Sequence, residues 1–113
     1  MGHSFEAIRT PTIKELHWAA GFLEGEGYFR ATRTSHQVSA DQCNPEPVGK
    51  LLEIFGGRVY KKSRTPPHND VWIWITCGAR ARGIMMTLYP LLSDKRKDQI
   101  QKTLGRKMVD THS

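Results

Sequence analysis

Long apolar runs are missing from this 113-residue chain. A helix crossing a bilayer needs about 20 mostly apolar residues in a row, so no spanning segment is expected. Nor does a basic stretch followed by an apolar one open the chain, which argues against a secretory leader. Cysteine is nearly absent: Cys43 and Cys77 stand alone, without the paired spacing of a zinc site, and read as reduced thiols. Together these absences point to a cytoplasm or an organellar matrix and away from secretion. Acid is also in deficit, with 11 Asp plus Glu against 17 Lys plus Arg and a formal charge of +6. Such an excess favours a polyanionic partner. Nucleic acid fits better than a membrane, because no basic amphipathic helix rich in Trp or Phe is present. No small-molecule substrate is indicated, and no internal repeat is visible. The length allows one small domain with a single core, for which an obligate dimer would be a help.

The most informative stretch runs from Trp18 to Phe29, Trp-Ala-Ala-Gly-Phe-Leu-Glu-Gly-Glu-Gly-Tyr-Phe. Thr12-Ile13-Lys14-Glu15 has the form of a capping box and Pro11 discourages an earlier start, so a helix is expected over 12–26. Its last turn carries Glu24 and Glu26, at the end where the macrodipole is negative, and no Lys or Arg lies between Lys14 and Arg30 to offset them. A bound cation would remove that conflict. Gly21 and Gly25 stand one above the other at i and i+4, and each costs about 1 kcal/mol relative to Ala inside a helix. The loss is reasonable if another backbone packs against the stripe. Ile13, Leu16, Ala20 and Leu23 fall on one side of the wheel; Trp18, Gly21, Phe22 and Gly25 fall on another, as for a helix held between its own sheet and a second subunit.

Beyond Gly27 the period changes to two. Residues 28–34 read as a strand with Tyr28, Arg30, Thr32 and Thr34 on one face, and residues 37–43 as its hairpin partner. Asn44-Pro45-Glu46 starts a helix with Val48, Leu51, Leu52 and Phe55 as its stripe and Gly56-Gly57 as its stop. A basic strand over 58–64 and a Pro-containing loop follow. Residues 71–76, Val-Trp-Ile-Trp-Ile-Thr, form the clearest strand, with Val71, Ile73 and Ile75 expected toward the core. Trp72 and Trp74 then lie on the other face and need either a cover or a ligand. A helix over 79–89, ended by Pro90, and a final basic helix capped by Ser93-Asp94, with Ile100, Leu104 and Met108 as its seam, complete the chain. The expected class is α+β with one antiparallel sheet.

Ala19-Ala20-Gly21-Phe22-Leu23-Glu24-Gly25-Glu26-Gly27 resembles the nonapeptide of the LAGLIDADG homing endonucleases, with Ala for Leu at Ala19 and Glu for both acids. The element order matches that family's half-domain, αββαββα, a four-stranded antiparallel sheet with helices packed on one face. The resemblance implies a domain over 12–108, an N-terminal arm over 1–11 and a short tail over 109–113. One copy of the motif implies a homodimer, with Trp18, Gly21, Phe22 and Gly25 at the helix interface. It further implies double-strand cutting of a long pseudo-palindromic DNA site, across the minor groove to leave 3′ overhangs, and an intron-encoded or free-standing enzyme.

In that family the second acid of the motif binds metal and is catalytic, which is Glu26 here. Mg²⁺ suits hard oxygen donors, with Mn²⁺ or Ca²⁺ able to take the same place; the Gly25 carbonyl would add an oxygen. Glu24, on nearly the opposite side of the wheel, is expected to be structural. The family pattern places Gln42 as a water-organising residue and Lys95 as the cation at the phosphate, with Lys97 second. Arg30, Thr32, Thr34, Gln37 and Ser39, with Lys61, Ser63 and Arg64 from the basic strand and Trp72, are the expected contacts to double-stranded DNA, although the register of the 58–64 strand is open. An RNA-binding intron maturase and a catalytically silent DNA-binding regulator on the same scaffold are the alternatives.

Overall fold

The computed structural model describes the backbone of residues 2–5 and residues 10–67 and 69–105 in full. Part of the N-terminal arm, Met108 of the last helix's seam and the 109–113 tail lie outside the described residues. Helix α1 spans Ile13–Glu26, and the capping box forms as expected: the Thr12 hydroxyl accepts from the Glu15 N–H at 3.1 Å, and the Glu15 carboxylate accepts from the Thr12 N–H at 2.9 Å. Strands β2 (Gly27–Ala31) and β3 (His36–Gln42) make the hairpin. Helix α2 (Pro45–Phe55) is capped by the Asn44 side chain, which accepts from the Glu46 N–H. Strands β4 (Gly57–Lys62) and β5 (Val71–Cys77), helix α3 (Gly78–Leu88), a 3-10 turn at Tyr89–Leu91 and helix α4 (Asp94–Gly105) follow.

The four expected strands pair antiparallel. A short strand from the arm, β1 (Gly2–Phe5), extends the sheet beyond β4, giving the order β1-β4-β5-β3-β2. Phe29, Val38, Ala40, Val59 and Trp74 all project to one side, where α1, α2, α3 and α4 contribute Ala19, Ala20, Leu23, Val48, Leu51, Ile54, Ala81, Met85, Leu88 and Ile100. The helices therefore cover one face and the other stays open. Ile13, expected in the apolar stripe of α1, is 73% exposed at the first turn, and Ala19 takes its share of the core.

The facing of β5 departs from the expectation. Trp74 is fully buried and Trp72 packs against the core, so Ile73 and Ile75 occupy the open face instead. Both faces of this strand are apolar, and alternation alone does not choose between them. The larger payload wins: an indole buries more area than an Ile and needs a partner for its N–H. Trp74 Nε1–H donates to the Gly56 carbonyl at 2.9 Å, and the ring lies 6.2 Å from that of Phe55. Gly57 sits at φ +103°, where a Cβ would meet the Ile75 carbonyl at 2.8 Å and the indole nitrogen at 3.2 Å. The Gly-Gly pair thus stops α2 and makes room for Trp74.

Trp74→Phe should leave the Gly56 carbonyl buried without its donor. A loss of about 1–3 kcal/mol is expected from the unmet hydrogen bond, read as a lower urea midpoint at unchanged slope.

Candidate active site and nucleic-acid interface

At the end of α1 the chain passes into β2 without a loop. Gly27 is required there, because a Cβ would lie 2.7 Å from the Leu23 carbonyl oxygen. No basic residue lies in the last turn of α1, and the two carboxylates meet different fates. Glu24 is bound to α4: its Oε1 accepts from the Ser93 N–H at 2.8 Å and its Oε2 from the Ser93 hydroxyl at 2.6 Å. Ser93 in turn accepts from the Arg96 N–H and caps α4. Arg96 Nε–H donates to the Glu24 carbonyl at 3.0 Å, so a guanidinium answers one of the orphan carbonyls at the helix end. Glu24 is thus structural, as expected.

Glu26 is exposed and makes no hydrogen bond or ion pair among the described residues. The same clamp brings Lys95 to this corner, where it lines a cleft of about 800 Å³ with Gly27, Tyr28, Arg30, Arg96 and Lys102. Gln42 is the last residue of β3, two positions beyond the Gly27–Ala40 pair. Its pairing with Trp72 puts it on the helix-packed face, while its neighbour Asp41 is on the open one. Lys97 is turned away from the corner, with its ammonium 5.7 Å from the Tyr89 ring. No group of three or more His, Cys, Asp or Glu gathers among the described residues. One chain by itself therefore offers an isolated carboxylate in the negative field of a helix end, a place that a cation suits, and not a closed metal cage.

The open face can be read off the pairing. Tyr28 and Arg30 of β2 lie across from Ser39 and Gln37 of β3, Ser39 and Asp41 across from Ile75 and Ile73 of β5, and these across from Arg58 and Tyr60 of β4, with Lys62 beyond. The surface is a shallow depression of about 470 Å³. Two guanidiniums are steadied over rings on it, Arg30 at 5.7 Å from Tyr28 and Arg58 at 5.1 Å from Tyr60. Arg30, Gln37 and Ser39 therefore lie where the sequence placed them.

Other expected contacts do not share that face. Thr32 and Thr34 lie beyond β2, in the hairpin turn, and the Thr32 hydroxyl is committed to Ser35, accepting from its N–H at 2.9 Å and donating to its carbonyl at 3.0 Å. Lys61 has the facing of Val59, toward the helix side, and pairs with Asp70 at 3.3 Å. Ser63 and Arg64 follow the end of β4, and the Arg64 N–H is fixed to Asp70 at 3.0 Å. Trp72 is turned to the core. For Lys61 and Trp72 the cause is the facing set by Trp74, which through its pair with Val59 selects Arg58, Tyr60 and Lys62 for the open face. These three were missed because a run with Lys or Arg at both parities carries no alternation to read, and Ile73 and Ile75 because their strand is apolar on both faces.

The stripe of small residues expected at a helix interface is also displayed. Gly21 and Gly25 are exposed, and a Cβ at either would meet nothing within 4 Å. Nothing in the chain's own packing demands glycine at these positions. Trp18 and Phe22 stack alongside, centroids 5.4 Å apart, with the Lys50 ammonium 4.2 Å from the Trp18 ring.

No protein-family model and no curated protein sequence matches the chain. Among solved structures it is similar to the homing endonuclease I-CvuI in complex with the I-CreI target C1221 in the presence of 2 mM Mg, with the DNA not cleaved: the TM-score is 0.59 at 16% identity, over 80% of this chain and 66% of that one. It is similar as well to I-CvuI in complex with its target Sro1.3 in the presence of 2 mM Ca, with a TM-score of 0.58 at 17% identity, over 81% and 69%. The chain spans about two thirds of the length of these neighbours. The α+β fold, an antiparallel sheet backed by helices, is that of the LAGLIDADG homing endonucleases.

The Glu24 clamp has a pH signature. The Ser93 hydroxyl first, then the Ser93 N–H, and then the charges of Arg96 and Lys95 hold this carboxyl below its ordinary value of 4.5 against a small desolvation. A depressed folded-state pKa contributes stability that is present above the unfolded value and is lost as pH falls through the folded one. Glu24→Gln should be less stable than wild type at pH 6, and the gap should narrow as both are titrated in urea toward pH 3. A gap independent of pH would contradict the assignment.

Proposed function

We propose that this chain is a site-specific DNA endonuclease acting as a homodimer, with one metal-dependent active centre per protomer and one DNA strand cut at each. The observation that carries the reading is Glu26, a carboxylate left without a described partner at the negative end of α1, beside the rim of an open, arginine-bearing antiparallel sheet. A two-stranded ribbon of such a sheet fits the major groove. Arg30, Arg58, Gln37 and Lys62 supply donors for purine edges and phosphates there. The neighbouring structures are DNA complexes of homing endonucleases prepared with Mg or Ca, which supports duplex DNA as the partner and a divalent cation as the cofactor.

The donor set fits Mg²⁺: the Glu26 carboxylate and the Gly25 carbonyl are hard oxygens that would hold it, with water and a scissile phosphate as further donors. When bound, such a cation supplies a Lewis acid for the phosphate and a more acidic water for attack. Lys95, held near this corner by the Ser93 cap, places positive charge where the phosphorane and leaving oxygen develop negative charge. Gln42 ends β3 at the same rim and offers an amide to orient water. The Glu24 clamp acts through geometry alone, keeping α4 and Lys95 against the end of α1. The two centres come together through the Gly21–Gly25 stripe, whose open surroundings suit a second α1 and whose flank carries Trp18 and Phe22.

Purified protein mixed with Mg²⁺ and DNA spanning the uninterrupted junction around its own gene should give discrete double-strand cuts. Glu26→Gln should lower cutting by about a hundredfold or more while keeping DNA binding. Persistent cutting in that variant would remove Glu26 from the active centre, and tight binding to intron RNA without any cutting would favour the maturase. A Cβ at Gly21 would meet no described atom within 4 Å, so Gly21→Leu starts into open space. It should therefore sediment as a folded monomer, and a dimer of that variant would refute the α1 interface.

A further inference from the structure

Asp41 is out of character with its surroundings. It lies on the open face of β3 and lines the same depression as Arg30 and Lys62, on a surface that would approach the phosphates of DNA. It makes no hydrogen bond or ion pair among the described residues. A carboxylate pushed against a polyanion raises the cost of binding unless it meets a donor. In the major groove the donors that bases offer are the exocyclic amino groups, N4 of cytosine and N6 of adenine.

The cross-strand neighbour narrows the choice. Asp41 pairs directly with Ile73, and side chains of such a pair stand about 5 Å apart at their Cβ atoms on one face. An acceptor-only group beside an apolar one matches the N4 and C5 edge of cytosine, where an amino group adjoins a carbon. Adenine sets its amino group beside N7, an acceptor that repels a carboxylate. Resting on the reading of this face as a DNA-binding surface, we infer that Asp41 is a specificity-determining residue that selects cytosine through its amino group, with Ile73 covering the C5 edge. Each protomer would impose this choice once, giving a symmetric pair of cytosines in the target.

The experiment is selection from a randomised duplex library by the full chain in Ca²⁺, followed by binding to the selected site carrying single changes. Wild type should enrich a symmetric motif with cytosine at one pair of positions. Replacing that cytosine by thymine, which presents O4 in place of the amino group, should weaken binding about five- to hundredfold. 5-Methylcytosine should bind at least as well as cytosine, because the methyl meets Ile73. Asp41→Ala should bring discrimination at that pair to within about threefold and keep the rest of the motif, which also shows that the variant folds. Asp41→Asn should move the preference toward adenine, whose N6 and N7 pair with a carboxamide. An unchanged motif in both variants, or loss of cutting with base preference intact, would overturn the role of Asp41 and leave the DNA-binding reading standing. Absence of any enriched motif from wild type would overturn both.

Discussion

The burial of the Trp74 indole is the constraint on which the rest of the surface depends. Its N–H is held by the Gly56 carbonyl and its ring by Phe55, so β5 can present only Ile73 and Ile75 outward. Every other strand is paired to β5 directly or through one neighbour, and side chains alternate with a period of two. One ring therefore decides that Arg58, Tyr60 and Lys62 of β4 and Ser39 and Asp41 of β3 share the open face, while Lys61 and Trp72 do not. A slip of one residue in β4 would exchange Arg58 for Val59 and bury a guanidinium.

The second organising element is the end of α1. Two carboxylates in the last turn are unfavourable to the helix dipole, and the fold resolves them differently. Glu24 finds the Ser93 N–H and hydroxyl, with Arg96 beside it at the helix carbonyl. Glu26 is left facing solvent. This asymmetry joins α1 to α4 and brings Lys95 to the corner, and it connects a local capping problem to the assembly of the proposed active centre. The glycines here divide in a similar way, since Gly27, the first residue of β2, is dictated by contact with Leu23 while Gly21 and Gly25 of α1 face open space.

Much of the architecture was legible from short-range chemistry. The capping box at Thr12, the Asn44-Pro45 start, the Gly56-Gly57 stop and the Ser93 cap are each written in a few adjacent residues, and the corresponding helices begin and end there. The change of period at Gly27 marked the first strand for the same reason. The additional strand at Gly2–Phe5 was not legible, because it exists by pairing with β4 and carries no alternation of its own strong enough to read.

What the sequence by itself determined was the order of the main elements, the class of fold and the pair of carboxylates, Glu24 and Glu26, at the end of the first helix, since capping, breaking and charge at a helix end are local. What only the tertiary structure decided was facing: whether Ile or Trp of a strand apolar on both sides enters the core, which parity of a basic strand is displayed, and which carboxylate of the α1 pair is consumed by α4. Those outcomes rest on cross-strand register and on partners up to 72 residues apart in the chain, as Arg96 is from Glu24. No local pattern encodes such partners, because their free energy exists only once the sheet and helices have met.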